Sequence, residues 1–173
     1  MISAESIFLR RVQGSDASLL LQWENDQNNW SVSSTTSKYK LGEIITLIES
    51  LADIETSKQA RFIIVNRKNN LALGAVDLFL ISFEEEKASI GILIADPKDR
   101  NIGLAVRSIE ILEEICVDEL GIYNLEANVH ENNASSIRLF EKIGFSKKTL
   151  TQDCKLNNAD YIETLLFEKC LKK

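Results

Sequence analysis

The hydrophobic positions of this chain follow two alternating periods, one typical of β-strands and the other of α-helices. The run from Ala88 to Ala95 is almost continuously apolar and rich in β-branched residues, which predicts a buried strand. A polar turn leads from it to the segment from Gly103 to Leu120, where apolar residues recur at helical spacing. The pattern therefore predicts a strand that feeds directly into a helix in the middle of the chain.

Further elements are predicted on both sides of this pair. Upstream, we expect a strand over Ile7 to Val12, a helix capped by Ser15 or Asp16, a helix over Leu41 to Ala52 whose buried stripe includes Ile45, and strands over Arg61 to Asn66 and Leu71 to Phe83. Downstream, we expect a strand over Asn124 to His130, a helix over Ala134 to Ile143, and paired strands over Phe145 to Thr151 and Tyr161 to Lys169. This order indicates an α/β chain with an antiparallel meander before its central strand.

Length and composition agree with one compact domain over residues 1–173. The chain has 173 residues, 45% of them hydrophobic, which is enough for one substantial core, and no linker-like composition divides it. No apolar run reaches the length of a membrane span, and the N-terminus MISAESIFLRR lacks the order of a secretory signal. We therefore expect a cytoplasmic protein with no membrane partner.

Charge and cysteine content exclude several kinds of partner. The net charge of −6 argues against nucleic acid and suits a cationic ligand better. Cys116, Cys154 and Cys170 are odd in number and lack metal-ligand spacing, Cys116 lies on an apolar helix face, and the chain has one histidine. We expect neither a disulfide framework nor a metal site.

The turn between the central strand and helix has the chemistry of a phosphate site. The first four N–H groups of a helix lack internal partners and its N-terminus carries partial positive charge, so an anion is favoured there. Gly103 permits close backbone approach, and Arg100 adds positive charge. The sequence thus predicts an acyl-CoA or nucleotide site, with an ordinary glycine-containing turn as the alternative.

A second segment makes the prediction more specific. The stretch from Val129 to Phe145 contains an Asn-led helix that closes in Lys-Ile-Gly-Phe. Together with the turn at Arg100 to Ala105, it resembles the GNAT superfamily of N-acetyltransferases over about Ala88 to Phe145. The resemblance implies an α/β (α+β) fold in which a mixed, mostly antiparallel sheet of about seven strands is flanked by about four helices.

The resemblance also implies which residues bind acetyl-CoA, the acetyl donor of this family. In the family, the pantetheine arm pairs with the strand before the phosphate turn, between two strands that splay apart. By position, the implied cofactor residues are Leu93, Ile94, Ala95, Arg100, Asn101, Ile102, Gly103, Leu104, Ala105, Val106, Asn133, Ser136 and Phe140. Without the resemblance, the apolar residues would be interpreted as core, and Asn133 as a helix cap.

Phe140 departs from the commonest family pattern, in which a tyrosine is placed to protonate the leaving thiolate. Phenylalanine has no such proton, so the general acid is open: water or another hydroxyl serves, the thiolate leaves unassisted, or the protein binds acyl-CoA without turnover. Candidates for a base are Asp77 and Ser89. The amide of Ile94 or Ala95 is the candidate to stabilise the oxyanion.

The acceptor is expected to bind near the N-terminal helices. Trp23 and Trp30 flank an acidic segment, and we interpret Trp23 as core and Glu24, Asp26, Trp30 and Asp77 as candidate acceptor residues. The Trp-Glu-Asn-Asp opening at Trp23, together with Gly74 to Phe79, resembles the spermidine and diamine branch, and ribosomal-protein N-terminal acetyltransferases are similar in the same places. We therefore expect direct acetyl transfer to a small amine such as spermidine, with a peptide α-amine or a non-catalytic binding module as alternatives, and a possible homo-oligomer.

Overall fold

A computed structural model describes residues 3–30, 38–151 and 164–172, with side chains described throughout these ranges except at Trp30 and 149–151. The strands are β1 (Ile7–Arg11), β2 (Ala60–Asn66), β3 (Ala72–Ser82), β4 (Lys87–Ile94), β5 (Asn124–His130), β6 (Ser146–Thr151) and β7 (Thr164–Cys170). The α-helices are α1 (Ala17–Asn25), α2 (Gln27–Trp30), α3 (Leu41–Ser50), α4 (Ile54–Ser57), α5 (Leu104–Ile115), which continues as a π-helix over Cys116–Leu120, and α6 (Ala134–Lys142).

The strands form one seven-stranded sheet in the order β1-β2-β3-β4-β5-β7-β6. The β4–β5 pair is parallel over Lys87 to Ser89, whereas β1–β2, β2–β3, β5–β7 and β6–β7 are antiparallel. The expected mixed sheet of about seven strands is confirmed. The prediction of about four helices omitted α2 and α4, because a one-turn helix is too short to produce a hydrophobic period.

Contacts group the chain into two compact units, one comprising residues 1–79 and 91–112 and the other residues 80–90 and 113–173. A single domain over 1–173 stays a prediction. In the first unit, α1 and α3 cover β2 and β3, and the core contains Leu20, Trp23, Ile44, Ile48 and Ile63. Burying each of these side chains contributes roughly 1.5–3 kcal/mol, so the apolar stripes of α1 and α3 stabilise this half of the sheet.

Two details of the first unit differ from the expectation. Ile45 is 41% exposed, because Ile44, Ile48 and Leu51 already form the buried stripe of α3 and Ile45 lies beside it. Asp16 precedes α1 but makes no side-chain cap. Its carboxylate instead accepts two 2.7 Å hydrogen bonds from Arg10, which lower the pKa of Asp16 and tie the start of α1 to β1.

In the second unit, an aromatic cluster packs α6 on its strands. Phe140 meets Phe145 edge to face at 5.1 Å and stacks on Phe167 at 6.0 Å. Cys116 is fully buried, as expected, and burial raises the pKa of its thiol to about 12. Cys116 and Cys170 are free thiols, and Cys154 lies outside the described residues.

The described residues contain neither a membrane-spanning helix nor a cluster of metal-ligating side chains. Within 3–30, 38–151 and 164–172, no helix has both the length and the apolar character needed to cross a membrane. Over the same residues, histidine, cysteine and carboxylate side chains form no group of three that could hold a metal ion.

Candidate functional site

The turn after β4 leaves the first amides of α5 without a capping side chain from the residue before the helix. Asp96 accepts a 3.0 Å hydrogen bond from the amide of Lys98 and starts a 3-10 turn over Pro97–Asp99. Asn101 and Gly103 then adopt positive φ values of 62° and 88°. Gly103 directly precedes α5, tolerates this left-handed backbone, and has no side chain to bond the amides of the helix. The turn therefore fits an anionic group such as a pyrophosphate.

The peptide group between Ile94 and Ala95 is fixed at both its polar ends. The amide of Ala95 donates to the carbonyl of Leu73 at 2.9 Å, and the carbonyl of Ile94 accepts from Nε of Arg100 at 3.1 Å. Because successive strand residues direct their amides to opposite edges, the amide of Ile94 lies on the edge away from β3. Of the two amides expected to stabilise an oxyanion, Ala95 is thus already engaged and Ile94 is the better candidate.

Gly74 permits close approach of β3 to the end of β4, a feature that sequence reasoning missed. A Cβ atom at this position would lie 2.0 Å from the carbonyl oxygen of Leu93 and 3.1 Å from the Cα of Ile94. No side chain fits in this space without movement of the backbone. Gly74 therefore fixes the position of the strand that is expected to bind the pantetheine arm.

Arg100 directs its side chain into the first unit. Besides its bond to Ile94, its Nη2 donates to Oδ1 of Asn29 at 2.8 Å. Asn29 is 1% exposed, and its Nδ2 donates to the carbonyl of Trp23 at 3.0 Å. Sequence reasoning gave Arg100 the role of added charge at the phosphate turn, whereas two of its donor groups bind protein atoms.

Two of the expected acceptor carboxylates share one arginine. Arg61 donates to Asp77 from Nε at 2.6 Å and from Nη2 at 3.0 Å, and to Glu24 from Nη1 at 3.0 Å. Burial opposes the charge of Arg61, but the two carboxylates outweigh it and raise the pKa of the guanidinium. The cluster of Glu24, Arg61 and Asp77 therefore holds a net charge of about −1 on β2, β3 and α1.

The other expected acceptor residues lie around α2. Asp26 is partly exposed and accepts hydrogen bonds from the amide and side chain of Asn28, both at 2.9 Å. Trp23 is 8% exposed and packs in the core, as expected. Trp30 ends α2, and its side chain lies outside the described part of the chain.

The expected residues of α6 belong to the second unit. Oδ1 of Asn133 caps the helix by accepting from the amide of Ser136 at 3.1 Å, and Phe140 is 3% exposed within the aromatic cluster. Ser89, a candidate base, is buried on β4. Sequence reasoning used the single histidine, His130, only to argue against a metal. Its Nδ1 is buried without a hydrogen-bond partner among the described residues.

Comparisons with known proteins agree with this architecture. The profile of a family described as "Acetyltransferase (GNAT) domain" matches residues 6–146. The "Uncharacterized N-acetyltransferase p20" of Bacillus licheniformis is 25% identical over 167 residues, which cover 94% of this chain and 92% of the relative.

Solved structures show the same fold at low sequence identity. Spermidine N-acetyltransferase from Vibrio cholerae, in complex with CoA and spermine, has a TM-score of 0.84 at 19% identity over 96% of both chains. A dodecameric structure of the Vibrio cholerae enzyme has a TM-score of 0.79 at 17% identity, over 96% of this chain and 95% of that chain. A ribosomal-protein alpha-N-acetyltransferase in complex with coenzyme A has a TM-score of 0.81 at 15% identity, over 96% of this chain and 94% of that chain.

Proposed function

The chain belongs to the GNAT acetyltransferase family and is an acetyl-CoA-dependent N-acetyltransferase, and from this premise we propose that its acceptor is a small polyamine such as spermidine. The bound acetyl-CoA supplies an activated thioester carbonyl, and the neutral amine attacks it directly. The observation that carries the choice of acceptor is the cluster of Glu24, Arg61 and Asp77.

This cluster is suited to hold a cationic amine. Two carboxylates surround one guanidinium, and their side chains keep exposed fractions of 17% for Glu24 and 29% for Asp77. Each carboxylate oxygen has more than one lone pair, so both groups can accept further hydrogen bonds while bound to Arg61. The bidentate contact fixes Asp77 in orientation, which lowers the entropy lost when an ammonium group binds. Asp26 adds a negative charge at the end of α1.

The proposal assigns acetyl-CoA to the residues implied by the family motifs. The backbone of Leu93, Ile94 and Ala95 aligns the arm, with the amide of Ile94 as the oxyanion donor. The turn and first helical residues, Asn101, Ile102, Gly103, Leu104, Ala105 and Val106, surround the pyrophosphate. In the second unit, the family resemblance implies Asn133, Ser136 and Phe140 as cofactor residues.

In the proposed reaction, neither Asp77 nor Phe140 transfers a proton. Both oxygens of Asp77 accept hydrogen bonds from Arg61, so the carboxylate is committed to this ion pair. Phe140 has no proton to donate, so the thiolate leaves without help from this position. Water is the simplest group to take up the proton of the amine and to protonate the thiolate.

The proposal is tested by mass spectrometry after incubation with acetyl-CoA and spermidine, spermine, putrescine or short peptides. We expect acetylspermidine, and we expect Glu24→Gln to raise the KM for spermidine about tenfold with little change in kcat. Glu49→Gln, an exposed change on α3, is the matched control. Acetylated peptide without acetylated polyamine would replace the proposal by N-terminal acetylation. Acetyl-CoA binding without any product would contradict both.

N-terminal protein acetylation is the second candidate, supported by the likeness to the ribosomal-protein acetyltransferase and by the neutralisation of one carboxylate by Arg61.

A homo-oligomer is also part of the proposal, supported by the dodecameric form of the Vibrio cholerae enzyme. Light scattering coupled to size-exclusion chromatography measures the mass of the protein in solution. A monomeric mass at micromolar concentration would contradict the proposed oligomer.

A further inference from the structure

The side chain of Arg100 joins three parts of the first unit. The residue itself belongs to the turn between β4 and α5, its Nε binds the carbonyl of Ile94 at 3.1 Å, and its Nη2 binds Oδ1 of Asn29 at 2.8 Å. Asn29 lies 71 positions earlier, in α2. One guanidinium thus connects the phosphate turn, the end of β4 and the segment expected to meet the acceptor.

The contact with Ile94 fixes the orientation of a peptide group at the acetyl end of the proposed cofactor site. The same peptide group donates to Leu73 at 2.9 Å through the amide of Ala95. With its carbonyl and its amide both bonded, the peptide plane has little freedom to rotate. The neighbouring amide of Ile94, the candidate oxyanion donor, is oriented by the same constraint.

The contact with Asn29 is buried, so its loss has a clear consequence. Asn29 is 1% exposed, and its amide side chain uses Nδ2 for the carbonyl of Trp23 and Oδ1 for Arg100. Without Arg100, Oδ1 would be a buried acceptor without this partner, an unfavourable state that movement of α2 would relieve. The positions of Arg100 and α2 therefore depend on each other.

We propose that Arg100 is a positioning residue rather than a phosphate ligand, and that through Asn29 and Ile94 it couples acetyl-CoA binding to the placement of α2. Acetyl-CoA bound at the turn would favour the same turn geometry in which Arg100 holds the carbonyl of Ile94 and the side chain of Asn29. Only the assignment of α2 to the acceptor side rests on the proposed function. The coupling itself concerns acetyl-CoA and protein alone.

The first test separates positioning from charge. Arg100→Lys keeps the positive charge but lacks the planar fork that reaches two acceptors. Isothermal titration calorimetry measures the affinity for acetyl-CoA. An NMR titration measures the affinity for S-acetylpantetheine, which has the pantetheine arm without the nucleotide and its phosphates. We expect Arg100→Lys to weaken both by a similar factor of about ten. Retained acetyl-CoA affinity, or a loss restricted to acetyl-CoA, would identify a phosphate ligand and overturn the proposal.

Lys98→Gln is the matched control, because Lys98 belongs to the same turn and is paired with Asp96 at 2.6 Å. It removes a charge without touching Asn29 or Ile94. We expect S-acetylpantetheine affinity to be unchanged in this variant. A loss equal to that in Arg100→Lys would mean that any disturbance of the turn acts on the arm, against a specific role for Arg100.

The second test uses Asn29, which contacts the turn only through Arg100 in the described hydrogen bonds. Asn29→Leu removes both side-chain bonds, whereas Asn29→Asp keeps an oxygen for Arg100 and places an oxygen instead of a donor beside the carbonyl of Trp23. We expect Asn29→Leu to weaken acetyl-CoA binding about tenfold, with no further loss when it is combined with Arg100→Lys, and Asn29→Asp to remain within about twofold. Equal losses in the Leu and Asp variants, or additive losses in the double variant, would overturn the coupling.

Neither test requires an acceptor, so their results are independent of the polyamine proposal. Thermal unfolding establishes that each variant is folded before binding is measured, and the comparison of Asn29→Leu with Asn29→Asp supplies the answer if Arg100→Lys does not fold. A protein that acetylates peptides instead of polyamines could still show the coupling. A protein that acetylates spermidine without these effects would retain its proposed function and lose this inference.

Discussion

The two helices that carry the family motifs begin in opposite ways. Gly103, the residue before α5, has a φ of 88° and no side chain, so it offers nothing to the amides of the first turn. Asn133, the residue before α6, places its own Oδ1 3.1 Å from the amide of Ser136. The start of α5 is therefore available to an anion from outside, whereas the start of α6 satisfies part of its requirement internally.

The difference indicates what each motif contributes. At α5 the backbone amides are the groups that the proposed phosphate site would use, and Arg100 bonds the backbone carbonyl of Ile94 at the end of β4. At α6 the motif residues stabilise the helix itself, through the Asn133 cap and the contacts of Phe140 with Phe145 and Phe167. Any polar contact that the Asn133 side chain makes with acetyl-CoA must therefore use Nδ2 or a second lone pair of Oδ1.

The largest effect is expected where β3 approaches the strand that leads to α5. In Gly74→Ala, the new Cβ would lie 2.0 Å from the carbonyl of Leu93, so the backbone of β4 must move. We expect a loss of more than about 3 kcal/mol in the free energy of unfolding, since overpacking against backbone is not relieved by a rotamer change. Urea denaturation measures this loss, and acetyl-CoA titration should show no binding.

Gly42→Ala is the control for the glycine change, because a Cβ at that position in α3 meets no atom within 4 Å beyond its chain neighbours and the nearby helix backbone. We expect it to stabilise the protein by about 0.5–1 kcal/mol through helix propensity. Stability and acetyl-CoA affinity unchanged in Gly74→Ala would show that β4 does not depend on this close approach.

Gly103→Asp gives α5 the kind of start that α6 has. The carboxylate can cap the first amides and repels phosphate, and the left-handed backbone adds a steric cost. We expect acetyl-CoA affinity to fall about 100-fold, or about 2.7 kcal/mol, in a calorimetric titration. Gly103→Ala has the steric cost without the carboxylate, so its affinity for acetyl-CoA should fall clearly less. Equal losses in the two variants would assign the effect to backbone strain alone.

Hydrophobic periodicity predicted β4 and α5 well because both signals are local: each residue's neighbours in the element are its neighbours in sequence. The contacts that organise the candidate site are not local. Arg100 meets Asn29 across 71 positions, and Arg61 meets Glu24 across 37. The sequence contained both arginines but no periodic signal that could assign their partners.

The same reasoning explains which functional predictions were incomplete. Glu24 and Asp77 were predicted as acceptor residues from separate segments, but the charge that they leave for a ligand depends on Arg61, which neither segment contains. Gly74 belonged to a recognisable strand, yet only the packed sheet shows that the carbonyl of Leu93 occupies the space of a side chain.

Phe140→Tyr tests whether α6 contributes chemistry or packing. The ring is 3% exposed and contacts two phenylalanines, so a hydroxyl there enters an apolar cluster. We expect a loss of about 2 kcal/mol in the free energy of unfolding and no gain in kcat. Phe140→Leu, which removes the aromatic contacts without adding a polar atom, is the control. A gain in kcat of tenfold or more in Phe140→Tyr would show that the hydroxyl reaches the reacting sulfur.

Asn133→Ala should have the smallest effect and separates capping from cofactor binding at α6. Loss of the bond to the amide of Ser136 is expected to lower the free energy of unfolding by about 1 kcal/mol. Asn133→Ser keeps a capping oxygen without adding a charge, so its stability should stay close to that of the unmodified protein. Since serine lacks the Nδ2 donor, a drop in acetyl-CoA affinity in both variants would assign Nδ2 to the cofactor. A drop in Asn133→Ala alone would instead assign the effect to the cap, and α6 would then differ from α5 in needing its own side chain to present the site.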